Sequence, residues 1–350
     1  MKAAQLNEQQ KFEVVEIEDP KMNDDEVRIK VYANGVCGSD THKIADGWPY
    51  ELPVIIGHEF SGEVIEIGSN VTHVSVGDRV IAAPMMPCHE CEYCQQGYYG
   101  MCENYKMIGT HRSGGFGQQV VAPKENVLPV GDMDYKTAAL IEPLAVSMHG
   151  VMGIDVQLGD TVVVLGMGAV GLLTLKCLLA AGAKDVIAVD ISDDSIKEAI
   201  KHGATYGINS LKEDLESKVM ELTNGLGADI VMECAGSAIT QEQALLLAKK
   251  HGKVGYQGIA YRDITLKRKA FENIFRRELT IKGFWNSYSA PFPGKEWQNA
   301  IDYVNSGKID LDGMVTHTFP LNKAEELFDM IINRKENFNK VLILPQEIEE

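Results

Sequence analysis

Apolar and polar residues alternate through the first third of the chain in short stretches. These stretches are Phe12 to Glu18, Glu26 to Tyr32, Gly62 to Gly68 and Arg79 to Ala83, with Gly, Pro and Asn between them. An alternation with a period of two is typical of strands that bury one face against a core. We therefore predict a β-rich domain over residues 1–150.

The pattern changes from Thr161 onward, where apolar strands alternate with amphipathic helical stretches. The predicted strands are Thr161 to Leu165, Val186 to Asp190, Asp229 to Cys234 and Lys253 to Gln257. Alternation of this kind implies right-handed crossovers and a parallel sheet. We predict that residues 151–287 form a doubly wound α/β domain.

The last stretch, residues 288–350, combines two helical patterns with two short strands. The predicted elements are a helix over Lys295 to Asn305, a strand over Val315 to Phe319, a helix over Lys323 to Asn333 that Asn322 could cap, and a strand over Lys340 to Leu344. Periodicity alone leaves open whether these elements extend the parallel sheet or return to the first domain.

Composition and charge narrow the class of protein. The 350 residues are 45% hydrophobic and 24% charged, which is typical of a globular chain and, at this length, of two domains. The net charge of −17 repels polyphosphate backbones and anionic lipids, so we expect neither nucleic acid nor a membrane as a partner. The first residues are polar and lack the apolar core of a secretory signal, which leads us to expect a cytoplasmic protein.

One apolar stretch, residues 161–183, is long enough to cross a bilayer. It contains Lys176, and a cluster of glycines divides it into a β-branched run and a later helical run. A buried strand, turn and helix therefore fit this stretch better than a transmembrane helix.

Four cysteines lie close together in a turn-rich stretch with the spacing C-x2-C-x2-C-x7-C. They are Cys88, Cys91, Cys94 and Cys102. Four thiolates on so short a loop can complete a tetrahedral shell around one zinc ion, which leaves no position for a substrate and makes the site structural. Free or buried thiols and an iron–sulfur cluster are the alternatives, and we favour zinc because nothing else in the sequence indicates electron transfer.

A sparser group of candidate metal ligands comprises Cys37, His58, Glu59 and Glu142. Cysteine, histidine and carboxylate together are the mixed ligand set of a catalytic zinc that keeps one position open. Each residue alone is weak evidence, since a single histidine is more often structural. Glu142 lies in an apolar stretch, where a carboxylate needs a partner or a metal to offset its desolvation.

A glycine fingerprint follows the first strand of the predicted parallel sheet and opens a predicted helix. Its residues are Gly166, Met167, Gly168, Ala169, Val170 and Gly171. The three glycines allow a tight turn, the close approach of a pyrophosphate, and close packing of helix on strand. Asp190 ends the next strand, where it can bind both ribose hydroxyls, and no arginine beside it could receive a 2′-phosphate. We predict a Rossmann domain that binds NAD rather than NADP; a glycine turn without a ligand is the alternative.

These motifs, in this order, resemble the zinc-dependent medium-chain dehydrogenases over essentially the whole chain. The sequence lacks a cysteine near Glu142 that could supply a second thiolate, and the polyol dehydrogenases of the sorbitol type show the same departure. The resemblance implies a GroES-like catalytic domain, to which residues 288–350 return, and an active site in the cleft beside the Rossmann domain.

The same resemblance assigns roles to individual residues. It implies that Cys37, His58 and Glu59 bind a catalytic zinc, and that Glu142 is a fourth ligand or holds the water of the zinc. It also implies that the hydroxyl of Ser39 and the imidazole of His42 relay protons. Together with the structural site, the chain is expected to bind two zinc ions.

Three segments of the second half resemble the bacterial galactitol-1-phosphate 5-dehydrogenases in particular. These are Arg276 to Thr280, Gly283 to Ser289 and Pro291 to Trp297. The resemblance implies that a homodimer or homotetramer oxidises galactitol 1-phosphate to tagatose 6-phosphate with NAD. Sorbitol (L-iditol), butanediol and threonine dehydrogenases remain alternatives, as does a non-catalytic dinucleotide-binding protein. Arg112, Lys295 and the basic group over residues 267–277 are candidates to bind a substrate phosphate.

Overall fold

The computed structural model describes residues 1–349 of the chain. Contacts within the chain divide it into two compact units. The first unit comprises residues 1–142, 288–306 and those from 311 onward, and the second comprises residues 143–287 and 307–310. Most residues after 288 thus belong to the same unit as the N-terminal residues.

The N-terminal part of the first unit consists mainly of strands, as the alternating pattern predicts. The strands are β1 (Lys2–Leu6), β2 (Phe12–Glu16), β3 (Glu26–Gly35), β4 (Glu59–Ile67), β5 (Arg79–Ala82), β6 (Met85–Met86), β7 (Lys106–Met107), β8 (Gln119–Pro123) and β9 (Val127–Pro129). The helices are α1 (Gly38–Asp46), α2 (Glu92–Gln95) and α3 (Tyr135–Ala138). Val27, Ile29 and Val31 of β3 pack with Phe60 and Val64 of β4 in one core, because alternate residues of a strand point to the same face.

The pairing of β3 with β4 positions the candidate metal ligands. The two strands are antiparallel, and Gly35 at the end of β3 lies opposite Glu59 at the start of β4. Cys37 follows β3 by two residues, and His58 directly precedes β4. The strand register therefore brings these two segments to the same end of the sheet.

The second unit contains a six-stranded parallel sheet with helices between its strands. In chain order the elements are α4 (Ile141–Ile154), β10 (Thr161–Leu165), α5 (Ala169–Ala181), β11 (Asp185–Asp190), α6 (Asp193–Lys201), β12 (Tyr206–Asn209), α7 (Leu215–Leu222), β13 (Ala228–Glu233), α8 (Ala238–Leu247), β14 (Ala248–Tyr256), α9 (Arg268–Arg276) and β15 (Thr280–Gly283). The strand order is β12-β11-β10-β13-β14-β15, which is the order of a Rossmann sheet. The predicted parallel sheet is confirmed.

The apolar stretch of residues 161–183 forms β10, a turn and α5, as predicted. Across residues 1–349, we find no helix that combines the length and the apolarity needed to cross a membrane.

The C-terminal elements extend the mixed sheet of the first unit. They are α10 (Lys295–Asn305), β16 (Val315–Pro320), α11 (Ala324–Ile332) and β17 (Lys340–Leu344). β17 pairs with β16 on one side and with Asn34 and Gly35 of β3 on the other. The predicted cap at Asn322 is wrong: a 3-10 turn precedes α11, and the amide of Asn322 instead binds the backbone of Glu349.

Candidate metal centres and dinucleotide site

Three candidate ligands meet at the end of β3. The Sγ of Cys37 and one donor atom each of His58 and Glu59 lie within 4.8 Å of one another. His58 and Glu59 are 5% and 2% exposed, so water can satisfy little of their polarity. Within residues 1–349, His58 Nδ1 and Glu59 Oε2 lack a partner with hydrogen-bond geometry. Asp40 and Lys340 lie within ion-pair distance of these two atoms, and a buried set of sulfur, imidazole and carboxylate fits a zinc ion with an open coordination position.

Lys340 offsets the charge of the Glu59 carboxylate. Its Nζ forms a buried ion pair with Glu59 Oε2 and donates a hydrogen bond of 3.0 Å to the carbonyl of Val36. Nζ and Oε2 are close enough to form an ion pair, but their angles are not those of a hydrogen bond. Gly35 makes room for the pair, because a Cβ at this position would collide with the Glu59 carboxylate. Since a carboxylate has two oxygens, Glu59 can bind Lys340 and a metal at once.

Asp40 contacts the imidazole of His58. Its Oδ2 lies 3.2 Å from His58 Nδ1, and both side chains are buried. A carboxylate at Nδ1 keeps the proton on that nitrogen and leaves Nε2 available to a metal. Burial raises the pKa of Asp40, but the positive charges of His58 and Lys43 outweigh it and hold the pKa below its ordinary value. Asp40 is therefore an anion at neutral pH.

Neighbouring charges also shift the pKa of His58. Burial lowers the pKa of its imidazole, but the negative charges of Asp40 and Cys37 outweigh burial and raise the pKa well above the ordinary value. A metal that binds Nε2 must displace the proton held there, so zinc binding at this cluster is expected to release protons.

Replacing Asp40 by Asn keeps the size of the side chain and removes its charge. We expect Asp40→Asn to weaken zinc binding or to lower kcat by about 10- to 100-fold, because the variant orients the ligating histidine less well. Chelator-competition titration and steady-state kinetics measure the two effects. Asp46→Asn is the matched control, since Asp46 is an exposed carboxylate at the end of the same helix. Wild-type zinc affinity and kcat in Asp40→Asn would contradict this role.

Glu142 lies in the first turn of α4 and stands outside the cluster of three donor atoms. Burial raises the pKa of Glu142 to about 7; the positive charge of His58 opposes this shift and the negative charge of Glu59 adds to it. The carboxyl thus exchanges a proton near neutral pH. Its assignment as a fourth ligand, direct or through water, stays a prediction.

The two residues assigned to the proton relay lie on α1. The hydroxyl of Ser39 donates a hydrogen bond of 3.2 Å to Cys37 Sγ, and His42 is exposed on the same helix. Ser39 therefore touches a candidate metal ligand, and the relay itself stays a prediction.

The four cysteines of the loop form a second cluster. The sulfurs of Cys88, Cys91, Cys94 and Cys102 all lie within 4.8 Å of one another, and those of Cys88 and Cys94 are 4.0 Å apart. A tetrahedral zinc with Zn–S bonds of about 2.3 Å holds its sulfurs about 3.8 Å apart. The backbone N–H groups of Cys88 and Cys91 donate to the sulfurs of Cys102 and Cys88. The geometry fits one zinc ion that is bound by four thiolates.

The four thiols differ in how readily they lose a proton. Backbone N–H groups lower the pKa of Cys91 to about 6, and they also lower the pKa of Cys88. Burial raises the pKa of Cys94 to about 12 and also raises that of Cys102. We expect Cys91 to be the first thiolate and the two buried thiols to lose their protons when zinc binds.

The glycine fingerprint forms the turn between β10 and α5. Gly166 has a φ of 93°, which favours glycine, and a Cβ on Gly171 would collide with the carbonyl oxygen of Gly166. A Cβ on Gly168 would meet no atom of the described chain within 4 Å. Packing within the protein therefore does not require glycine at position 168, whereas a pyrophosphate at the N-terminus of α5 does. Ala169 and Val170 form the first turn of α5.

Two family models match the chain; the first match contains both candidate zinc clusters, and the second begins within the glycine fingerprint. The model of the alcohol dehydrogenase GroES-like domain matches residues 23–132, and the model of the zinc-binding dehydrogenases matches residues 169–306. The galactitol 1-phosphate 5-dehydrogenase of Escherichia coli (strain K12) is 35% identical over 327 residues, which cover 92% of this chain and 93% of that protein. The chain belongs to the zinc-binding alcohol dehydrogenases.

Further members of this family have similar sequences and folds. The sorbitol dehydrogenase of Halalkalibacterium halodurans is 34% identical over 95% of this chain and 96% of its own. The crystal structure of galactitol-1-phosphate dehydrogenase from E. coli has a TM-score of 0.92 at 33% identity and covers 99% of this chain and 100% of that chain. A zinc-binding dehydrogenase from Sinorhizobium meliloti 1021 bound to NADP has a TM-score of 0.91 at 33% identity, covering 98% and 99%. The predicted fold, the class of zinc-dependent dehydrogenase, and zinc and a nicotinamide dinucleotide as cofactors are confirmed, while the choice of NAD over NADP stays a prediction.

Asp190 ends β11 beside the fingerprint turn. Its Oδ2 accepts a hydrogen bond of 2.7 Å from the N–H of Met167, and its Oδ1 accepts one of 2.9 Å from Ser192. The nearby Lys212 forms an ion pair with Asp193. The fixed negative charge of Asp190 disfavours a 2′-phosphate, which supports the prediction of NAD.

Most of the cations suggested as phosphate anchors already bind anionic or carbonyl oxygens. Arg112 donates a hydrogen bond of 2.6 Å to Glu26, whereas Lys295 is exposed at the first residue of α10. In the basic group, Arg268 and Arg276 bind Glu272, Lys269 binds Glu216, and Arg277 donates to backbone carbonyls. The basic group over residues 267–277 is therefore mainly a set of surface ion pairs.

The sequence prediction missed Asp40 and Lys340 as parts of the candidate catalytic site. Lys340 begins a strand that is otherwise wholly apolar and buried. A buried lysine needs a partner, so a lysine at the start of such a strand indicates that an acidic group lies nearby. Asp40 carries no comparable signal, because it follows Cys37 in a polar stretch.

Proposed function

We propose that this chain oxidises a secondary hydroxyl of a polyol phosphate with NAD, and that galactitol 1-phosphate becomes tagatose 6-phosphate. The observation that carries the proposal is the buried cluster of Cys37, His58 and Glu59, which combines the donor types of a catalytic zinc. The similarity to an enzyme named galactitol 1-phosphate 5-dehydrogenase supports this choice of substrate.

Zinc bound to these residues would act as a Lewis acid that lowers the pKa of the substrate hydroxyl. The Glu59 carboxylate takes the place that a second thiolate has in a Cys2His site, and oxygen ligands suit a polar, hydrated site. Asp40 keeps His58 in the tautomer that binds metal, and Lys340 offsets the charge of Glu59. With zinc bound, the formal charges of the metal, Cys37, Glu59, Asp40 and Lys340 would sum to zero.

The remaining residues of the site are proposed to move the proton and to bind the cofactor. The hydroxyl of Ser39 takes the proton that the substrate loses, and His42 passes it to solvent. Glu142, in the first turn of α4, is proposed to hold a water or a proton at the site. The glycine fingerprint and Asp190 would bind NAD, which would supply the hydride acceptor.

The family resemblance extends the proposal to a homodimer or homotetramer that acts on small molecules in the cytoplasm. Sorbitol is the main rival substrate, because a sorbitol dehydrogenase is nearly as similar to this chain as the galactitol 1-phosphate enzyme. Butanediol and threonine are the other rivals within the same enzyme class.

One panel of assays tests the proposed substrate and cofactor together. Zinc-loaded enzyme is assayed with galactitol 1-phosphate, galactitol, sorbitol, butanediol and threonine, each with NAD and with NADP. We expect kcat/KM to be highest for galactitol 1-phosphate with NAD, by at least about tenfold, since a charged group adds binding energy that free polyols lack. A higher kcat/KM for sorbitol or threonine would overturn the proposal. Reduction of neither cofactor by any alcohol, with one zinc per chain, would favour a non-catalytic protein.

A further inference from the structure

An aromatic patch with three nitrogen donors lies near the cluster of Cys37, His58 and Glu59. It comprises Lys43 in α1, Trp48 and Tyr50 in the loop that follows, and His111 in the loop after β7. We call these four residues the donor collar. None of them is part of the metal cluster or of the dinucleotide site.

Lys43 is the cation of the donor collar. Its Nζ lies 5.5 Å from the ring centroid of Trp48 and 5.7 Å from that of Tyr50, which is within the range of cation–π contacts. The Nζ also lies 3.5 Å from Asp40 Oδ1, a long contact, and the side chain of Lys43 keeps 24% of its surface exposed. An ammonium has three N–H donors, so Lys43 can bind a further anion while it keeps these contacts.

Trp48 and His111 add neutral donors. Trp48 is 7% exposed, and among the described residues its indole Nε1 has no hydrogen-bond acceptor. The ring of His111 packs edge-on against Tyr50 at 5.3 Å, and its Nδ1 accepts a hydrogen bond from the N–H of Met107. A neutral imidazole that accepts at Nδ1 carries its proton on Nε2, so Nε2 is a donor.

The donor collar is adjacent to the candidate catalytic metal site through two routes. The carboxylate of Asp40 contacts both Lys43 Nζ and His58 Nδ1, so one side chain separates the ammonium from a candidate metal ligand. The loop that carries His111 packs against the residue before His58, since a Cβ on Gly109 would lie 2.6 Å from the carbonyl oxygen of Gly57. A substrate whose hydroxyl reaches the metal can therefore place its other end near the collar.

The chemistry of the collar selects an anion. A phosphate monoester carries about 1.5 to 2 negative charges at pH 7 and offers only acceptor oxygens to its surroundings. The hydroxyls of a free polyol both donate and accept, so they do not require a set of donors that includes an ammonium. The chain as a whole carries a charge of −17, and an anionic substrate thus needs a local cation. Arg112 is already bound to Glu26.

We infer that the donor collar binds the phosphate end of the substrate and that Lys43 determines the preference for a phosphorylated polyol. This inference rests on the proposed function, because it names the part of the site that would recognise the phosphate. It assigns Lys43 to substrate binding and gives it no part in hydride or proton transfer.

The test compares galactitol 1-phosphate with galactitol in Lys43→Met and Lys43→Arg. Methionine keeps most of the length of the side chain and removes its charge. We expect Lys43→Met to lower the ratio of kcat/KM for galactitol 1-phosphate over galactitol by about 10- to 100-fold, mainly through a higher KM for the phosphate ester. Lys43→Arg is expected to keep the ratio within about threefold, because it keeps the charge. The matched control is Lys30→Met, since Lys30 in β3 makes the same kind of contact with Tyr32 at 5.0 Å.

The outcomes separate three possibilities. An equal loss with both substrates in Lys43→Met would mean that Lys43 acts through Asp40, which overturns the inference. A wild-type preference for galactitol 1-phosphate that Lys43→Met retains would overturn the inference and leave the proposed function standing. A wild type without this preference would contradict the proposed function, and the inference with it.

A binding measurement separates recognition from turnover. Calorimetric titration of the zinc-loaded enzyme with galactitol 1-phosphate, without NAD, is expected to give a Kd about tenfold or more higher in Lys43→Met than in wild type and in Lys30→Met. The same Kd in all three proteins would overturn the inference.

Discussion

Replacing Cys37 by Ser is expected to lower kcat/KM for alcohol oxidation by at least about 1,000-fold, or about 4 kcal/mol of transition-state stabilisation. The serine hydroxyl is a poor zinc ligand at neutral pH, and the buried cluster offers His58 and Glu59 as its other donor types. Metal analysis should show a fall from two zinc ions per chain to one. Cofactor binding at the glycine fingerprint should persist, because that fingerprint belongs to the other unit.

The control for this variant is Cys177→Ala. Cys177 is buried in α5 and belongs to neither cysteine-containing cluster, so both zinc ions and most of the activity should remain. A Cys37→Ser enzyme that keeps two zinc ions and wild-type kcat/KM would contradict the assignment of Cys37 as a ligand.

Replacing Cys94 by Ser is expected to remove the structural zinc and to lower the thermal midpoint of unfolding by roughly 10 °C. The cysteine loop depends on its metal for stability, because its only helical segments are α2 and one 3-10 turn. Aromatic contacts attach the loop to the chain after Tyr288: the ring of Phe292 lies 6.0 Å from that of His89 and 5.5 Å from that of Tyr99. We expect the loop to lose these contacts when its metal is lost.

Limited proteolysis combined with metal analysis measures this effect. Cleavage should become rapid within residues 88–102, and one zinc per chain should remain. Cys37→Ser serves as the reciprocal control, since it should lose the other zinc and keep the loop resistant to protease. A Cys94→Ser protein with two zinc ions and an unchanged midpoint would show that the four cysteines do not bind a metal.

Features that depend on short spacing could be predicted from the sequence. The four cysteines of the loop lie within 15 residues, and the fingerprint directly follows β10. The spacing along the chain therefore already places the residues of each motif close together. The strand β15 was missed because all four of its residues are exposed, and an exposed edge strand lacks the apolar run that marks a buried one.

Features that depend on long-range pairing could not be predicted from local patterns. Lys340 reaches the carbonyl of Val36 because β17 pairs with the end of β3, and these residues are 304 positions apart. Cys37 and His58 meet because Gly35 lies opposite Glu59, a register that periodicity does not determine. The resemblance to a known family named these ligands, but it did not assign Asp40, Lys43 or Lys340.

Charge neutralisation is another property that the sequence does not show. Arg112 and the basic group over residues 267–277 were candidates for binding phosphate because they are cationic. The structure pairs Arg112 with Glu26 and pairs Arg268 and Arg276 with Glu272. No pattern in the sequence singles out Lys43. Its contacts with Trp48 and Tyr50 nevertheless keep it beside the candidate catalytic residues.

Anomalous diffraction at the zinc absorption edge, measured on crystals of the active enzyme, would locate the zinc ions of the chain. We predict two peaks per chain: one within bonding distance of Cys37 Sγ, a nitrogen of His58 and a carboxylate oxygen, and one amid the sulfurs of Cys88, Cys91, Cys94 and Cys102. A fully active enzyme whose map shows no peak at Cys37 and His58 would contradict this prediction.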